Sequence, residues 1–169
     1  MKYLFLICLY FGFPVLCQAQ YGNITSGSVN FTFVSKDVKG SVSGFSTTSE
    51  IDWNDLENSI IEGYVLSETL KTGNFIRDWA LQGRQYFDTD TFPKITFKSS
   101  SIEVNGEGLL VYGTLTMKGI SKPIEIELSK NDNSLEGTTT LFTPDYDITI
   151  VKKSREANAV VVRFDLKLE

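Results

Sequence analysis

The sequence contains no histidine, and its two cysteines, Cys8 and Cys17, both stand near the amino terminus. Without imidazole groups, and with so few thiols, the chain lacks the groups from which most catalytic dyads and transition-metal sites are built. It also has no long basic run, and its formal net charge is −5. Nucleic-acid binding needs clustered Lys and Arg to neutralise phosphates. We therefore predict no catalytic residue, no metal, no cofactor and no nucleic-acid partner.

Long apolar runs are absent except at the start, which reads MKYLFLICLYFGFPVLCQAQ. Lys2 supplies a short positive region, residues 3–16 form an apolar run too short for a comfortable membrane span, and Cys17 and Ala19 are small residues at −3 and −1 of a cleavage site. We expect residues 1–19 to be a secretory signal peptide, a buried N-terminal element being the alternative.

Cleavage after Ala19 would leave a mature chain, residues 20–169, without any cysteine and therefore without a disulfide. No other segment is long and apolar enough to span a membrane. We therefore expect a secreted protein without a transmembrane segment. The periplasm is the favoured destination, and the extracellular medium stays open.

In the rest of the chain, apolar and polar residues alternate in many short segments. In SVNFTFV, Val29, Phe31 and Phe33 face one way and the polar residues face the other, which is the period of a half-buried strand. The pattern, or a weaker strand signal, recurs at 38–44, 59–67, 95–97, 108–119, 123–129, 135–142 and 159–169. These eight or nine strands, with no long helices between them, predict an antiparallel all-β sandwich or closed barrel.

Inward-facing glycines favour the barrel over the sandwich. Gly40 and Gly113 fall on the apolar faces of their strands. Glycine there allows a sharp bend or a close approach to the barrel wall, and such small residues can also leave interior space unfilled.

One segment breaks the strand pattern. Asn74 is a good N-cap, the apolar residues at 75, 76, 79 and 80 recur at helical spacing, and Gly83 is a plausible stop. The sequence thus predicts a short amphipathic helix in a crossover between strands. Its aromatic residues either plug one end of the barrel or wall a ligand cavity, and both roles are compatible: Phe75, Trp79, Tyr86, Phe87 and Phe92.

The charged residues of this crossover are interpreted as structural. Arg77 and Asp78 are the most tempting catalytic pair, but adjacent helical residues point about 100° apart and cannot pair directly. We predict that each anchors the crossover to a neighbouring loop. Asp88 and Asp90 lack the glycine and glutamate of a calcium-binding EF-hand loop, so turn formation is the better explanation.

Two blocks of this sequence resemble the signature of a known family. Residues 69–100 read TLKTGNFIRDWALQGRQYFDTDTFPKITFKSS, and residues 113–123 read GTLTMKGISKP. Over about residues 27–168 the chain is similar to the YceI-like family, secreted lipocalin-like proteins associated with polyisoprenoid binding. The resemblance implies that residues 20–169 form one all-β domain, an antiparallel eight-stranded lipocalin-like barrel with a short crossover helix.

The resemblance also implies a ligand, an isoprenoid or another long-chain lipid held in the bore of the barrel. Burial of apolar surface contributes about 25 cal/mol per Å², so such a chain can bind without charged contacts. Phe75 and Trp79 would line or cover the mouth. For the wall, ordinary core packing is the alternative at every position, and the expected residues are Phe31, Phe33, Val42, Phe97, Val111, Leu115, Leu128, Leu141 and Phe164.

Three functions stay open at this level. The first is a secreted binding protein for a polyisoprenoid of the quinone or prenyl phosphate type. The second is a filled barrel that serves as an interaction module in the cell envelope. The third, an enzyme acting on an isoprenoid, is disfavoured because nothing in the sequence brings an acid and a base together.

Overall fold

The structure is a computed structural model, and it describes residues 21–169. The predicted signal peptide and both cysteines lie outside the described residues. Within residues 21–169 the chain forms one α-helix, α1 (Phe75–Gln82), and ten strands. The strands are β1 (Tyr21–Phe33), β2 (Val38–Val42), β3 (Ser46–Thr47), β4 (Glu50–Asp52), β5 (Glu62–Leu66), β6 (Lys94–Asn105), β7 (Gly108–Met117), β8 (Ile120–Asn131), β9 (Ser134–Phe142) and β10 (Ala159–Leu168).

All strand pairings are antiparallel, and the strands form one curled sheet in the order β2-β1-β10-β9-β8-β7-β6-β5-β3. The two edges of the sheet are joined by the segment 46–52, because β3 pairs with β5 while β4 pairs with β1. Ser41 in β2 and Lys71 after β5 add a reciprocal pair of backbone hydrogen bonds of 2.9 Å between the same two edges. The prediction of an antiparallel all-β, lipocalin-like fold with a short helix is confirmed.

The number of strands differs from the eight expected. The additional strands are β3 and β4, which are two and three residues long. A strand this short cannot show an alternating pattern, so hydrophobic periodicity had no means to detect it. The helix follows its signals closely: the side chain of Asn74 accepts a hydrogen bond of 3.0 Å from Arg77 N, and Gly83 ends the helix.

The inward glycines do not leave empty space. A Cβ atom at Gly40 would collide with the ring of Phe31 and with a backbone oxygen, and one at Gly113 would collide with the ring of Phe97. Each glycine therefore lets a phenylalanine ring lie flat against the neighbouring backbone. Of the alternatives for these glycines, the close approach to the wall is the one observed, and at Gly40 and Gly113 aromatic rings occupy the space.

The two ends of the curled sheet are built differently. At the tight-turn end, two-residue turns join β6 to β7 and β8 to β9, and Ile51, Leu109 and Leu135 are fully buried. At the opposite end, which we call the long-loop end, two long connections leave the sheet. Residues 67–93 join β5 to β6 and carry α1, and residues 143–158 join β9 to β10.

Candidate functional site

An apolar cavity of about 620 Å³ runs through the curled sheet. Its lining is drawn from nearly every strand, from Ile24 and Leu128 towards the tight-turn end to Ile150 and Val151 in the long connection 143–158. The volume lies within the range of about 300–1,000 Å³ typical of small-molecule sites. The cavity is therefore large enough to be a binding site and apolar enough to select an apolar occupant.

All nine strand residues expected in the wall do line this cavity. Five are buried and four remain half-buried even though they lie inside the sheet, because they border open space rather than close-packed neighbours. The half-buried residues are Phe31, Phe97, Leu141 and Phe164. The alternation of the sequence thus brings together a continuous wall, and its role in ligand binding stays a prediction.

Several lining residues were missed. Phe45 lies between β2 and β3, directly after Gly44, whose φ of 71° reverses the chain. Val65 belongs to β5, where the sequence SIIEGYVLS has no alternation to show which side faces inward. Ile150 lies in a connection without strand pattern. Only the apolar character of these residues signalled burial, and that does not distinguish a cavity wall from a core.

The charged part of the lining marks where the cavity meets solvent. Lys36 and Arg77 line it from connections at the long-loop end, and both are exposed. Glu62 lines it from β5, where its carboxylate accepts from Lys98 Nζ at 2.9 Å and from Thr48 Oγ1 at 2.8 Å. These hydrogen bonds, with Lys98 as the largest cause, hold the pKa of Glu62 below its usual range. Glu62 is thus a fixed carboxylate rather than a proton donor.

Phe75 and Trp79, which were expected to line or cover the mouth, are not among the residues that line the cavity, and a role in covering the mouth stays a prediction. Phe75 is 84% exposed and Trp79 is 70% exposed, and neither lines the cavity. The helix instead turns Asp78 and Leu81 inward, because a buried polar side chain must reach its hydrogen-bond partners. The helix has the amphipathic pattern that the sequence predicts. The hydrogen bonds of Asp78, and not the aromatic residues, determine which face packs inward.

That anchor is centred on Thr72. The side-chain hydroxyl and the backbone N–H of Thr72 both donate to Asp78 Oδ1, the latter at 2.7 Å. Arg77 Nε donates to the same hydroxyl at 2.7 Å, and Arg77 Nη2 donates to the Thr72 carbonyl at 3.1 Å. The hydrogen bond from the Thr72 hydroxyl is the main reason that the pKa of Asp78 lies below its usual range. Arg77 and Asp78 therefore both attach the helix to the turn that precedes it.

The other aromatic residues of the crossover are divided between two positions. Tyr86 and Phe87 line the cavity, while Phe92 contacts Gly119 in the turn between β7 and β8. Phe92 is held in place by Ser67, whose hydroxyl donates to its carbonyl at 2.7 Å. Tyr86 and Phe87 thus wall the cavity at this end of the sheet, Phe92 packs against the turn between β7 and β8, and Phe75 and Trp79 do neither.

The acidic residues of the crossover form turns. Asp88 has a φ of 47°, and its carbonyl accepts from Thr91 N at 3.0 Å and from Phe92 N at 2.8 Å. Among residues 21–169 there is no group of three acidic or sulfur-containing side chains that could hold a metal ion. In the same part of the chain, no helix is long and apolar enough to cross a membrane.

Comparison with known proteins places this geometry among relatives. A UPF0312 protein of Staphylococcus aureus (strain N315) is 30% identical over 152 residues, which cover 83% of this chain and 85% of that protein. The crystal structure of Burkholderia cenocepacia BcnA aligns with a TM-score of 0.74 at 20% identity, over 85% of this chain and 96% of the other.

A polyisoprenoid binding domain from Saccharophagus degradans, implicated in plant cell wall breakdown, aligns with a TM-score of 0.58 at 16% identity, over 89% of this chain and 98% of the other. At such identities the structural matches show a shared fold. The family description "YceI-like domain" matches residues 23–168, nearly all of the described chain. The family resemblance read from the two sequence blocks is thereby confirmed, and this chain belongs to the YceI-like domain family.

Proposed function

We propose that the protein binds one long apolar lipid, of polyisoprenoid type, inside the cavity of the curled sheet. The observation that carries this proposal is a cavity of about 620 Å³ whose wall is almost entirely aliphatic and aromatic. Such a wall offers an isoprenoid chain continuous apolar contact along its length. It offers very few hydrogen bonds to a polar substrate.

The energetics favour an occupied cavity. The cavity opens to solvent, so an unoccupied cavity leaves apolar wall in contact with water, at a cost of about 25 cal/mol for each Å². Apolar walls hold water poorly, because water needs polar partners. A lipid chain would offset this cost, and would gain about 25 cal/mol for each Å² that it removes from water.

The relatives support the ligand class. The fold is shared with a polyisoprenoid binding domain, and the family is the same as that expected from the sequence. We infer a binding protein rather than an enzyme, because Glu62 of the cavity lining is held as a carboxylate by Lys98 and Thr48, and the basic residues of the lining, Lys36 and Arg77, are exposed. Quinones and prenyl phosphates are the ligands to test, and the proposed location is the periplasm.

The experiment is native mass spectrometry of the protein purified from its own cell envelope, followed by organic extraction. A stoichiometric prenyl or acyl lipid is the expected result. A ligand-free mass that stays unchanged after incubation with quinones and prenyl phosphates would overturn the proposal, and the interaction module with a filled barrel would replace it.

A matched pair of variants tests the position of the ligand. Leu141 faces the cavity from β9, and the next residue, Thr140, is exposed on the outer face of the same strand. We expect Leu141→Trp to obstruct the path of the lipid chain in the cavity and lower lipid occupancy at least tenfold, while Thr140→Trp leaves it unchanged. Equal occupancy in both variants would place the lipid outside the cavity.

A further inference from the structure

We propose that the outward face of α1 inserts into the surface of a phospholipid bilayer and so brings the cavity opening to the membrane. This face consists of Phe75, Ile76 and Trp79, and we call it the helix wedge. The proposal rests on the proposed function for its purpose, which is the exchange of lipid between membrane and cavity. The docking surface itself is argued from the exposure and orientation of α1.

The helix wedge is a contiguous apolar surface. Ile76 is 74% exposed, and its neighbours Phe75 and Trp79 are exposed to a similar degree. At 100° per residue the three side chains fall within one sector of the helix. Of the six large hydrophobic residues that are exposed within residues 21–169, these three and Val34 lie at the long-loop end. Single exposed apolar residues are ordinary, but three on one helical face mark an interaction site.

The wedge cannot roll inward to bury itself. The opposite side of the helix carries Asp78 and Leu81, which are buried, and Asp78 is fixed to Thr72 by two hydrogen bonds. Rotation of the helix would break those bonds and expose Leu81. The sequence thus holds three large apolar side chains in solvent at a cost that only a partner can offset.

The wedge adjoins the opening of the cavity. Arg77, Ala80 and Leu81 belong to the same eight-residue helix and line the cavity from its other side. A bilayer that holds the wedge would therefore lie about one helix diameter, roughly 10 Å, from the cavity wall. This proximity of the wedge to the cavity favours a lipid surface as the partner.

The size of the wedge also favours a bilayer over a second copy of the chain. Three large side chains, of which aromatic ones bury 150–250 Å² each, present roughly 500 Å². A stable protein interface needs about 800 Å² from each partner. A short amphipathic helix with Trp and Phe on its apolar face is, in contrast, sufficient to enter the headgroup boundary of a membrane.

The charges around the helix suit phospholipid headgroups of no net charge. Lys71 and Arg84 stand before and after the helix, are exposed, and take part in none of the salt bridges of the described chain. They can reach lipid phosphates. Glu68, Asp88 and Asp90 balance them along the crossover. We therefore expect binding to zwitterionic vesicles with a weak dependence on salt.

Co-sedimentation with phosphatidylcholine–phosphatidylethanolamine vesicles tests the wedge. We expect Phe75→Gln/Ile76→Gln/Trp79→Gln to weaken vesicle binding at least tenfold, and Gln is a good helix former, so α1 should persist. Val104→Gln is the matched control, since Val104 is 70% exposed but lies at the tight-turn end. Equal binding by the wedge variant and the native chain would overturn the proposal.

Fluorescence gives a second readout. The chain has two tryptophans, so Trp53→Phe leaves Trp79 as the only indole. We expect its emission to shift to shorter wavelength with vesicles and to be quenched by brominated lipid chains. No shift at saturating vesicle concentration would contradict insertion. A dimer that the wedge variant alone converts to monomer, with no vesicle binding, would assign the face to self-association instead.

The two proposals fail separately. Lipid delivered from detergent micelles should load the wedge variant as well as the native chain, because Phe75, Ile76 and Trp79 do not line the cavity. Loading from micelles without vesicle binding by the native chain would overturn the docking surface alone. Vesicle binding without loading from either source would overturn the proposed function and leave the docking surface standing.

Discussion

The two long connections at the long-loop end are built on opposite plans. Residues 143–158 bury Tyr146, Ile148 and Asn158 almost completely, and they connect the neighbouring strands β9 and β10. Residues 67–93 hold their helix by one polar anchor and leave three large apolar side chains in solvent. The comparison shows that one connection at this end is part of the core, while the other is a platform that presents a surface.

Different interactions hold the two connections. In 143–158, Tyr146 and Ile148 pack with Leu115 and Met117 of β7 in one buried cluster. In 67–93, Leu70 and Phe87 pack against the buried core, while α1 itself is attached by the set of hydrogen bonds around Thr72. We therefore expect substitutions at the buried residues of the first connection to lower global stability and those around Thr72 to act mainly on the helix.

The largest effect is expected for Asn158→Ala. The fully buried side chain of Asn158 accepts from Ile150 N at 3.0 Å and Val151 N at 2.8 Å, and donates to Val151 O at 2.9 Å and Ser154 O at 3.1 Å. Its removal leaves several backbone groups of the connection without partners, so the free energy of unfolding should fall by about 3 kcal/mol or more.

Urea unfolding measures that loss. Asn133→Ala is the control, because Asn133 is exposed in a tight turn at the other end of the sheet and should change stability by less than about 0.5 kcal/mol. A similar small change for Asn158→Ala would mean that the connection 143–158 is not held from within.

A smaller and more local effect is expected for Thr72→Val. The variant removes the hydroxyl that donates to Asp78 and accepts from Arg77, at an expected cost of about 1–2 kcal/mol. Amide hydrogen exchange should accelerate in α1 and remain slow in β7 and β8. Thr72→Ser keeps the hydroxyl and should behave like the native chain, whereas uniform acceleration across the sheet would contradict the separation of the two connections.

The sequence predicts the strands of the cavity wall well and the orientation of the crossover helix poorly. The strands that form the wall could be predicted from the alternation of apolar and polar residues, as at Phe31, Phe33 and Leu115. Which face of α1 packs against the sheet does not follow from its apolar pattern. The pattern shows that one face is apolar but not what that face contacts. Only the hydrogen bonds of Asp78 decide it, and these join residues in a loop with no periodicity. The cavity could not be predicted either, because the strands of a cavity wall and those of a filled core show the same alternation of apolar and polar residues.

Tyr146 gives a prediction that depends on pH. Burial, with a smaller contribution from the negative charge of Asp145, raises the pKa of Tyr146 from its ordinary value of 10.0 to about 12. Because the folded pKa is the higher one, the associated stability is fully present below pH 10 and is lost as the pH rises towards 12. The native chain should therefore lose about 1–2 kcal/mol in this interval from this residue.

Tyr146→Phe should remove that alkaline loss. The phenol oxygen of Tyr146 is buried without a hydrogen-bond partner in the described structure, so its deletion should be nearly neutral at pH 7. Urea unfolding of both proteins at pH 7 and pH 11 makes the comparison. An equal decline of the two proteins with pH would show that ionisation of Tyr146 is not responsible.

The smallest effect is expected for Arg155→Met, which removes an outer tether of the buried connection. Arg155 donates to both carboxylate oxygens of Asp145, at 2.8 and 2.6 Å, and its guanidinium lies 3.7 Å from the centroid of the Phe142 ring. Both side chains of the ion pair are partly exposed, at 49% and 30%, so the loss at pH 7 should stay below about 1 kcal/mol.

Acid should erase the electrostatic part of this difference. The hydrogen bonds from Arg155 hold the pKa of Asp145 below its usual range, so their contribution is present above the ordinary pKa of about 3.9 and is lost as the pH falls through the lower folded value. The native chain and Arg155→Met should therefore converge in urea unfolding once the pH has fallen well below that ordinary value, while Arg155→Lys should lie between them at pH 7. A loss as large as that of Asn158→Ala would mean that this connection depends on its surface as much as on its buried side chains, and the contrast with residues 67–93 would then weaken.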